Sequence, residues 1–284
     1  MIKRISILLA ILLFFYSLAQ NQRFIYEYSF KPDSINKETV IKEIMNLDVT
    51  KEGSLFYSQL LLDQDSIFNA QIEQGKKTGI RILDGRKIKR SQANFLVSKK
   101  YPNYQTSFHT SFNALNLSVN EDKTINWIIL PEIKTIEGHK VQKAKTNFVG
   151  RNWIAWFTND IQIQDGPYKF SGLPGLILNI EDENGDHIFN IVGIKKQFYK
   201  TYLLKSKEIV VTEEKFNKLW NEYKKDPAKN IKMIHSSSEM SETLFYDSTT
   251  KNPLTKEDLI RNKEEGDRKY FKYYNNFIEL KLYE

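Results

Sequence analysis

The chain has no cysteine among its 284 residues. That excludes a disulfide framework, a thiolate nucleophile, a cysteine metal site and a lipid anchor on a cysteine, so packing alone must hold the fold. Histidine is scarce as well: His109, His139, His187 and His235 stand apart, and no two have metal-ligand spacing. No Gly-x-Ser-x-Gly elbow, phosphate-binding glycine loop or His-Glu-x-x-His occurs. The readable forms of serine-hydrolase, nucleotide-binding and zinc-protease chemistry are therefore missing. After the first 19 residues no apolar run is long enough to cross a membrane, and mean hydropathy is −0.50. Glycine (12) and proline (7) are few, so the place where they gather is informative.

What is present begins with an address. Lys3 and Arg4 precede the apolar run Ile5 to Tyr16, and Ser17-Leu18-Ala19 ends it with small residues. This is the layout of a secretory signal peptide over 1–19. The expectation is an exported protein, periplasmic or extracellular, and not a lipoprotein. Residues 20–284 have no linker or repeat and read as a single domain with enough chain for a real core. Net charge is +7, and 40 basic against 35 acidic residues remain once Lys3 and Arg4 are set aside. The signs are interspersed, so neither this charge nor the aromatic-basic run Tyr270 to Tyr274 points to a nucleic-acid partner in an exported chain.

Glycine and proline concentrate between Gly166 and Gly185. Asp165-Gly166-Pro167 signals a turn. In Gly172-Leu173-Pro174-Gly175-Leu176-Ile177, Pro174 pushes Leu173 towards extended backbone, and Pro174-Gly175 suits the centre of a type II turn. The loop 165–175 is expected to be stiff, with the Tyr168 and Phe170 rings beneath it. Leu176 to Asp182 and His187 to Ile194 then flank Asn184-Gly185, which predicts a hairpin with a type I′ turn. Counting from that turn sets Ile180 opposite Phe189 and Asp182 opposite His187. Leu176, Leu178, Ile180, Phe189 and Ile191 fall on one core face. Asp182 and His187 are expected to form a surface ion pair, and the hairpin turn accounts for Asp182-x-Asn184-x-Asp186 better than a calcium loop does.

These residues resemble the GLPGLI family of secreted Bacteroidetes proteins, which takes its name from the six residues 172–177. The resemblance extends through Lys134, Gly138, Gln142-Lys143-Ala144, Gly150-Arg151, Trp156 and Gly166-Pro167, and to Asn276-Phe277-Ile278-Glu279-Leu280 near the end. Two departures are plain: no cysteine stands near Val141, and Phe277 replaces a proline. The family's biochemical role is not established. The resemblance implies an envelope location and an accessory role beside outer-membrane, TonB-dependent transporters.

Elsewhere the chain alternates short strands with turns. Phe24, Tyr26, Tyr28 and Phe30 define a first strand. Strands are expected over 39–49, 55–62, 95–97, 125–130, 138–146 and 152–158, with a turn at 120–123 and a modest helix within 63–75. Thr212 caps a helix over 212–225, whose Phe216, Leu219, Trp220 and Tyr223 form one stripe, and a charged helix covers 255–268. The fold class is α+β, mainly antiparallel, built on a curved sheet; a half-barrel like that of periplasmic lipoprotein carriers is expected by analogy. The basic cluster between Lys76 and Arg90 reads as a solvated face.

The functional expectation is a non-enzymatic envelope protein that binds a hydrophobic ligand or an outer-membrane partner, with no cofactor and no metal. Arg151, Trp153, Trp156, Tyr168 and Phe170 are the candidate binding residues, because rings and a guanidinium suit an amphipathic guest. The alternatives are an envelope hydrolase with an unrecognised site and a metal-handling protein. The hydrolase needs a Ser or a carboxylate beside a His at a cleft; the metal protein needs converging His and carboxylates.

Overall fold

A computed structural model describes residues 21–79, 89–113, 115–121, 123–196, 203, 207–233 and 254–283. The expected signal peptide over 1–19, residues 80–88 within the basic cluster and residues 234–253 lie outside the described residues. The chain is organised on one open, curved, twelve-stranded sheet. Its strands are β1 (Gln22–Phe30), β2 (Ile41–Val49), β3 (Gly53–Ser58), β4 (Leu96–Lys100), β5 (Gln105–Phe112), β6 (Leu115–Glu121), β7 (Ile128–Ile136), β8 (His139–Phe148), β9 (Arg151–Thr158), β10 (Leu176–Asp182), β11 (His187–Lys195) and β12 (Ile209–Val211). The helices are α1 (Gln59–Thr78), α2 (Glu213–Lys225), α3 (Lys229–Met233) and α4 (Lys256–Tyr273).

The strand order is β12-β6-β5-β4-β3-β2-β1-β11-β10-β9-β8-β7. Two antiparallel meanders, β1 to β6 and β7 to β11, meet where β1 pairs with β11. Among the described strands only β12 runs parallel to its neighbour, β6. The alternation read in β1 is the core face: Phe24, Tyr26, Tyr28 and Phe30 are all buried. Met45, Leu47, Phe56, Val97 and Phe108 continue that face, and Tyr168 and Phe170 join the same core from the loop between β9 and β10.

That loop is pinned across the concave face by polar contacts. Lys99 is fully buried; its ammonium donates to Asp165 at 2.5 Å and to the carbonyls of Gly166 and Phe170. Ser54 and Tyr101 hydroxyls donate to the same Asp165 carboxylate. Burial holds the Lys99 ammonium below its ordinary range, against the opposing pull of Asp165.

The hairpin register is as counted, with Ile180 facing Phe189, but both turn types differ from expectation. Gly175 has φ of +158° and donates its N–H to the Leu173 carbonyl at 2.8 Å, closing a three-residue turn around Pro174, while Leu176 N–H reaches Ile161 instead. In the hairpin only Gly185 has positive φ, and its N–H donates to the Asp182 carbonyl. The Asp182 carboxylate accepts the N–H groups of Asp186 and His187, which supplies the turn chemistry that a type I′ pair would otherwise provide. Asp182 and His187 are buried, not on the surface: Asp182 pairs with Arg151 at 3.0 Å, and His187 Nδ1 meets the Tyr28 hydroxyl at 2.8 Å.

Other boundaries also shift. The strand expected over 55–62 stops at Ser58, because the Ser58 hydroxyl accepts the Leu60 N–H and starts a 20-residue helix. Asn120 and Glu121 belong to β6 and not to a turn. Thr212 and Thr255 cap α2 and α4 as read, the latter in a full capping box with Asp258, and α4 continues to Tyr273.

Candidate functional site

Between the concave face and the C-terminal layer lies a cavity of about 770 Å³. Strand periodicity aims Phe108, Thr110 and Phe112 of β5 into it, and Tyr28 and Phe30 of β1 reach it from the sheet centre. Trp220 and Tyr223 come from the apolar stripe of α2, Lys263, Asp267 and Tyr270 from α4, and Phe277 and Tyr283 from the tail. The opposite wall is the segment Arg90 to Phe95 with Leu61, Gln64 and Phe68 of α1.

The tail is anchored by two buried networks. Arg151 donates through Nε to the carbonyls of Phe277 and Ile278, through Nη1 to Asp182, and through Nη2 to Asn276 and Phe277. Lys169 sits between Glu121 and Glu279, and the Tyr168 hydroxyl donates to Glu279. Burial, then the second carboxylate, pushes the Glu121 carboxyl up. Lys169 and Glu121 also border a second, polar cavity of about 640 Å³ with Tyr101, Tyr104 and Gly172, so this cluster forms a partition between the two spaces.

Fourteen of the thirty-one residues on the main cavity wall are polar or charged. The Tyr223 hydroxyl donates to Asp267 at 2.7 Å, and Lys263 pairs with Asp267 at 2.8 Å. Burial raises the Tyr223 hydroxyl above its ordinary range and pushes Tyr270 up to about 12. Two buried ring nitrogens have no hydrogen-bond partner: Trp220 Nε1 and His187 Nε2.

His187 is lowered to about 3, first by burial and then by the Arg151 charge, against the pull of Asp186 and the backbone of Asn276 and Phe277. A base that stays neutral when folded but protonates near 6.5 when unfolded loses stability as pH falls through that interval. From pH 7 to pH 5 the expected loss from this residue is about 2 kcal/mol. Urea unfolding of the wild type and His187→Gln at both pH values checks it: the gap between the two proteins should narrow at pH 5, and an unchanged gap contradicts the assignment.

Of the five residues proposed from sequence, the structure brings Tyr168 alone to the cavity. Arg151 is buried in the tail network. Trp153 and Phe170 pack on each other at 4.7 Å inside the core. Trp156 is half-buried, with the ammonium groups of Lys134 and Lys143 at 4.0 and 5.8 Å from its ring. The wall residues of β5, α2 and the tail were not singled out as a site. The stripe of Phe216, Leu219, Trp220 and Tyr223 was read as a face, but the strand carrying Phe108, Thr110 and Phe112 was not, and nothing local says that the two enclose a space.

The His-centred arrangement required of a hydrolase does occur, away from the cavity. Ser98 Oγ lies 2.9 Å from His109 Nε2, and His109 Nδ1 lies 2.9 Å from Glu208. This has the connectivity of a nucleophile, base and orienting acid. Ser98 alternates with Val97 and Lys99, which face the core, so it lies on the convex side. Strand β4 is paired along its whole length with both β3 and β5, so its amides are committed to the ladder and offer no oxyanion hole. Among the described residues no group of three or more metal-ligating side chains converges, and no helix is long and apolar enough to cross a membrane.

Residues 98–179 match a family model described as a protein of unknown function, Porph_ging. The match runs from within β4 into β10 and so includes the pinned loop, the Lys99–Asp165 pair and Arg151 itself, while Arg151's partners Asp182, Asn276, Phe277 and Ile278 lie outside it. No curated protein matches the chain. Among solved structures, one described as PNGF-II in a P21 space group matches with a TM-score of 0.50 at 16% identity, covering 71% of this chain and 33% of that one. A second PNGF-II structure, in C2, matches with a TM-score of 0.47 at 16% identity, covering 68% and 31%. A putative outer membrane lipoprotein-sorting protein domain from Vibrio parahaemolyticus matches with a TM-score of 0.29 at 7% identity, covering 64% and 88%. At these identities the first likeness shows fold alone, and the other two carry no weight. The chain spans about a third of the PNGF-II chain it resembles.

Proposed function

We propose that this is an exported, non-enzymatic protein of the cell envelope that holds a hydrophobic ligand in the cavity between the sheet and the C-terminal layer. The observation that carries the reading is the cavity itself: about 770 Å³, with thirteen aromatic residues among its thirty-one lining residues, and built from elements that converge from both meanders and the tail. The signal-like residues 1–19 and the resemblance to the GLPGLI proteins support the envelope location. A space of this volume suits a small molecule and not a protein surface, which favours a ligand over the outer-membrane partner that the resemblance also implies. The Ser98, His109 and Glu208 arrangement sits on a strand paired on both sides, whose amides are committed to the ladder, and this does not favour a hydrolase.

The test is binding of apolar fluorescent probes to the full-length protein and to Thr110→Trp. Thr110 faces the cavity and is only half-buried, so a larger ring there fills the space without entering the core. The variant should keep its melting temperature and bind probes at least about tenfold more weakly, a loss of roughly 1.4 kcal/mol. Unchanged binding in a folded variant would place the probes elsewhere and remove the reading.

A further inference from the structure

We propose that the outer edge of β7 is an interface between two copies of this chain, joined antiparallel about a two-fold axis at Ile133 so that their sheets run on as one. This edge lies apart from the cavity, whose wall includes no residue of β7. Exposure, charge and register each lead there.

β7 ends the sheet: β8 pairs with one side of it, and among the described residues no strand pairs with the other. Such an edge presents unpaired N–H and C=O groups, and proteins usually blunt it. The opposite edge follows that habit, since β12 has three residues. β7 has nine, and seven of them are exposed. Ile128, Ile129 and Ile133 are 66%, 47% and 54% exposed, so aliphatic side chains stand in water along a strand that can still pair. Pro131 withholds a single N–H, at a place where the β8 ladder is already irregular, between Ile129 and Ile133.

Charge selects the occupant and the register. Facing residues of an antiparallel pair share a sheet face, so a two-fold axis between identical strands passes through one residue. With the axis at Glu132, that carboxylate faces its own copy. With the axis at Lys134, two ammonium groups meet. Like charges directly opposite each other are destabilising. With the axis at Ile133, Glu132 of each copy faces Lys134 of the other, twice over, and Ile133 packs on itself. Leu130 then stands opposite Ile136, and Pro131 opposite Thr135. Moving the axis to Pro131 or Thr135 leaves both charges without a charged partner.

Both charged groups can take these partners. The Glu132 side chain is 49% exposed and meets Lys143 through one oxygen, at 3.2 Å; a carboxylate has room for a second donor. The Lys134 ammonium lies 4.0 Å from the Trp156 ring centre and makes no ion pair with a described residue. A strand with one charge of each sign around an aliphatic centre suits its own copy, whereas a strand of uniform charge would repel one of the two. A single strand pair buries less than the roughly 1,600 Å² of a standard interface, so the dimer is expected to dissociate in the micromolar range.

Sedimentation velocity of the full chain between about 1 and 100 μM should show a monomer–dimer equilibrium. Glu132→Lys and Lys134→Glu each set like charges against each other across the axis, and each should weaken the dimer at least about tenfold. The double variant Glu132→Lys with Lys134→Glu restores the complementarity and should bring the dimer back to within about threefold of the wild type. Mixing the two single variants should give a heterodimer, because each supplies the charge that the other lacks. Ile133→Lys, which sets two ammonium groups at the axis, should abolish the dimer. All three positions are exposed, so the variants should keep the wild-type melting temperature. A wild type that stays monomeric throughout, a dimer indifferent to the single reversals, or a double variant that does not recover overturns the pairing through β7. None of these results bears on the cavity, which probe binding decides separately.

Discussion

Gly175→Val is expected to be the most damaging single substitution in the central loop, lowering stability by about 4 kcal/mol or more. A Cβ at this position would lie 1.9 Å from the Thr158 carbonyl oxygen and 2.7 Å from its carbon. Neither atom can retreat, because Thr158 is the ladder partner of Leu176 at the junction of β9 and β10. The cause is contact with backbone more than conformational preference, and a companion variant separates the two. Gly172 has φ of +90°, yet a Cβ there meets nothing within 4 Å. Gly172→Ala should therefore cost only about 1–2 kcal/mol, the ordinary penalty for a left-handed residue. Urea-unfolding midpoints of the two variants measure the difference. If Gly172→Ala proves the worse, or Gly175→Val melts with the wild type, the close approach of the two strands is not as described.

Arg151→Met should cost about 3–5 kcal/mol, because it leaves the buried Asp182 carboxylate without its cation and the Phe277 and Ile278 carbonyls without donors. The side chain is 6% exposed, so water cannot take over those bonds. Beyond the global loss, the tail from Asn276 onward should become the first site of limited proteolysis, since the guanidinium is what ties it to the hairpin. Because Phe277 and Tyr283 form part of the cavity wall, probe binding should weaken in parallel. A variant that is destabilised while its tail stays protected would mean that Lys169 and Glu279 suffice as the anchor. A variant as stable as the wild type would mean that the network around Arg151 is not formed.

Much of the local structure was legible because it is encoded at short range. The two-residue period of Phe24 to Phe30 gives the core face of β1, the Asn184-Gly185 pair gives the register of β10 on β11, and Thr212 and Thr255 give two helix starts. Where a side chain competes with the backbone for the same hydrogen bonds, short-range reading goes astray. Asp182 supports the hairpin turn, and Ser58 begins a helix where the apolar pattern alone reads as strand.

The candidate site was mostly illegible, and Arg151 shows why. Its residue type suits a bound carboxylate, and nothing nearby in the chain says otherwise. The groups that occupy it lie 31 and 125 residues away, in Asp182 and Asn276. In the same way, Trp220 reads as part of the apolar face of one helix, and nothing in the chain says that Phe112 lies against it. Whether two such faces close on each other or enclose a space is a property of the distance between layers, which no residue spacing records.

The sequence by itself determined that this protein has no cysteine chemistry, that its sheet is mainly antiparallel, and that Gly166, Pro167, Gly172, Pro174 and Gly175 gather in one loop. Only the tertiary structure decided that the loop is held by a buried Lys99 and Asp165, that Arg151 serves the tail, and that thirteen aromatic rings surround a cavity. The division has one physical origin: turns, caps and periodicity act between neighbours in the chain, whereas burial and ion pairing depend on which distant segments the folded sheet brings together.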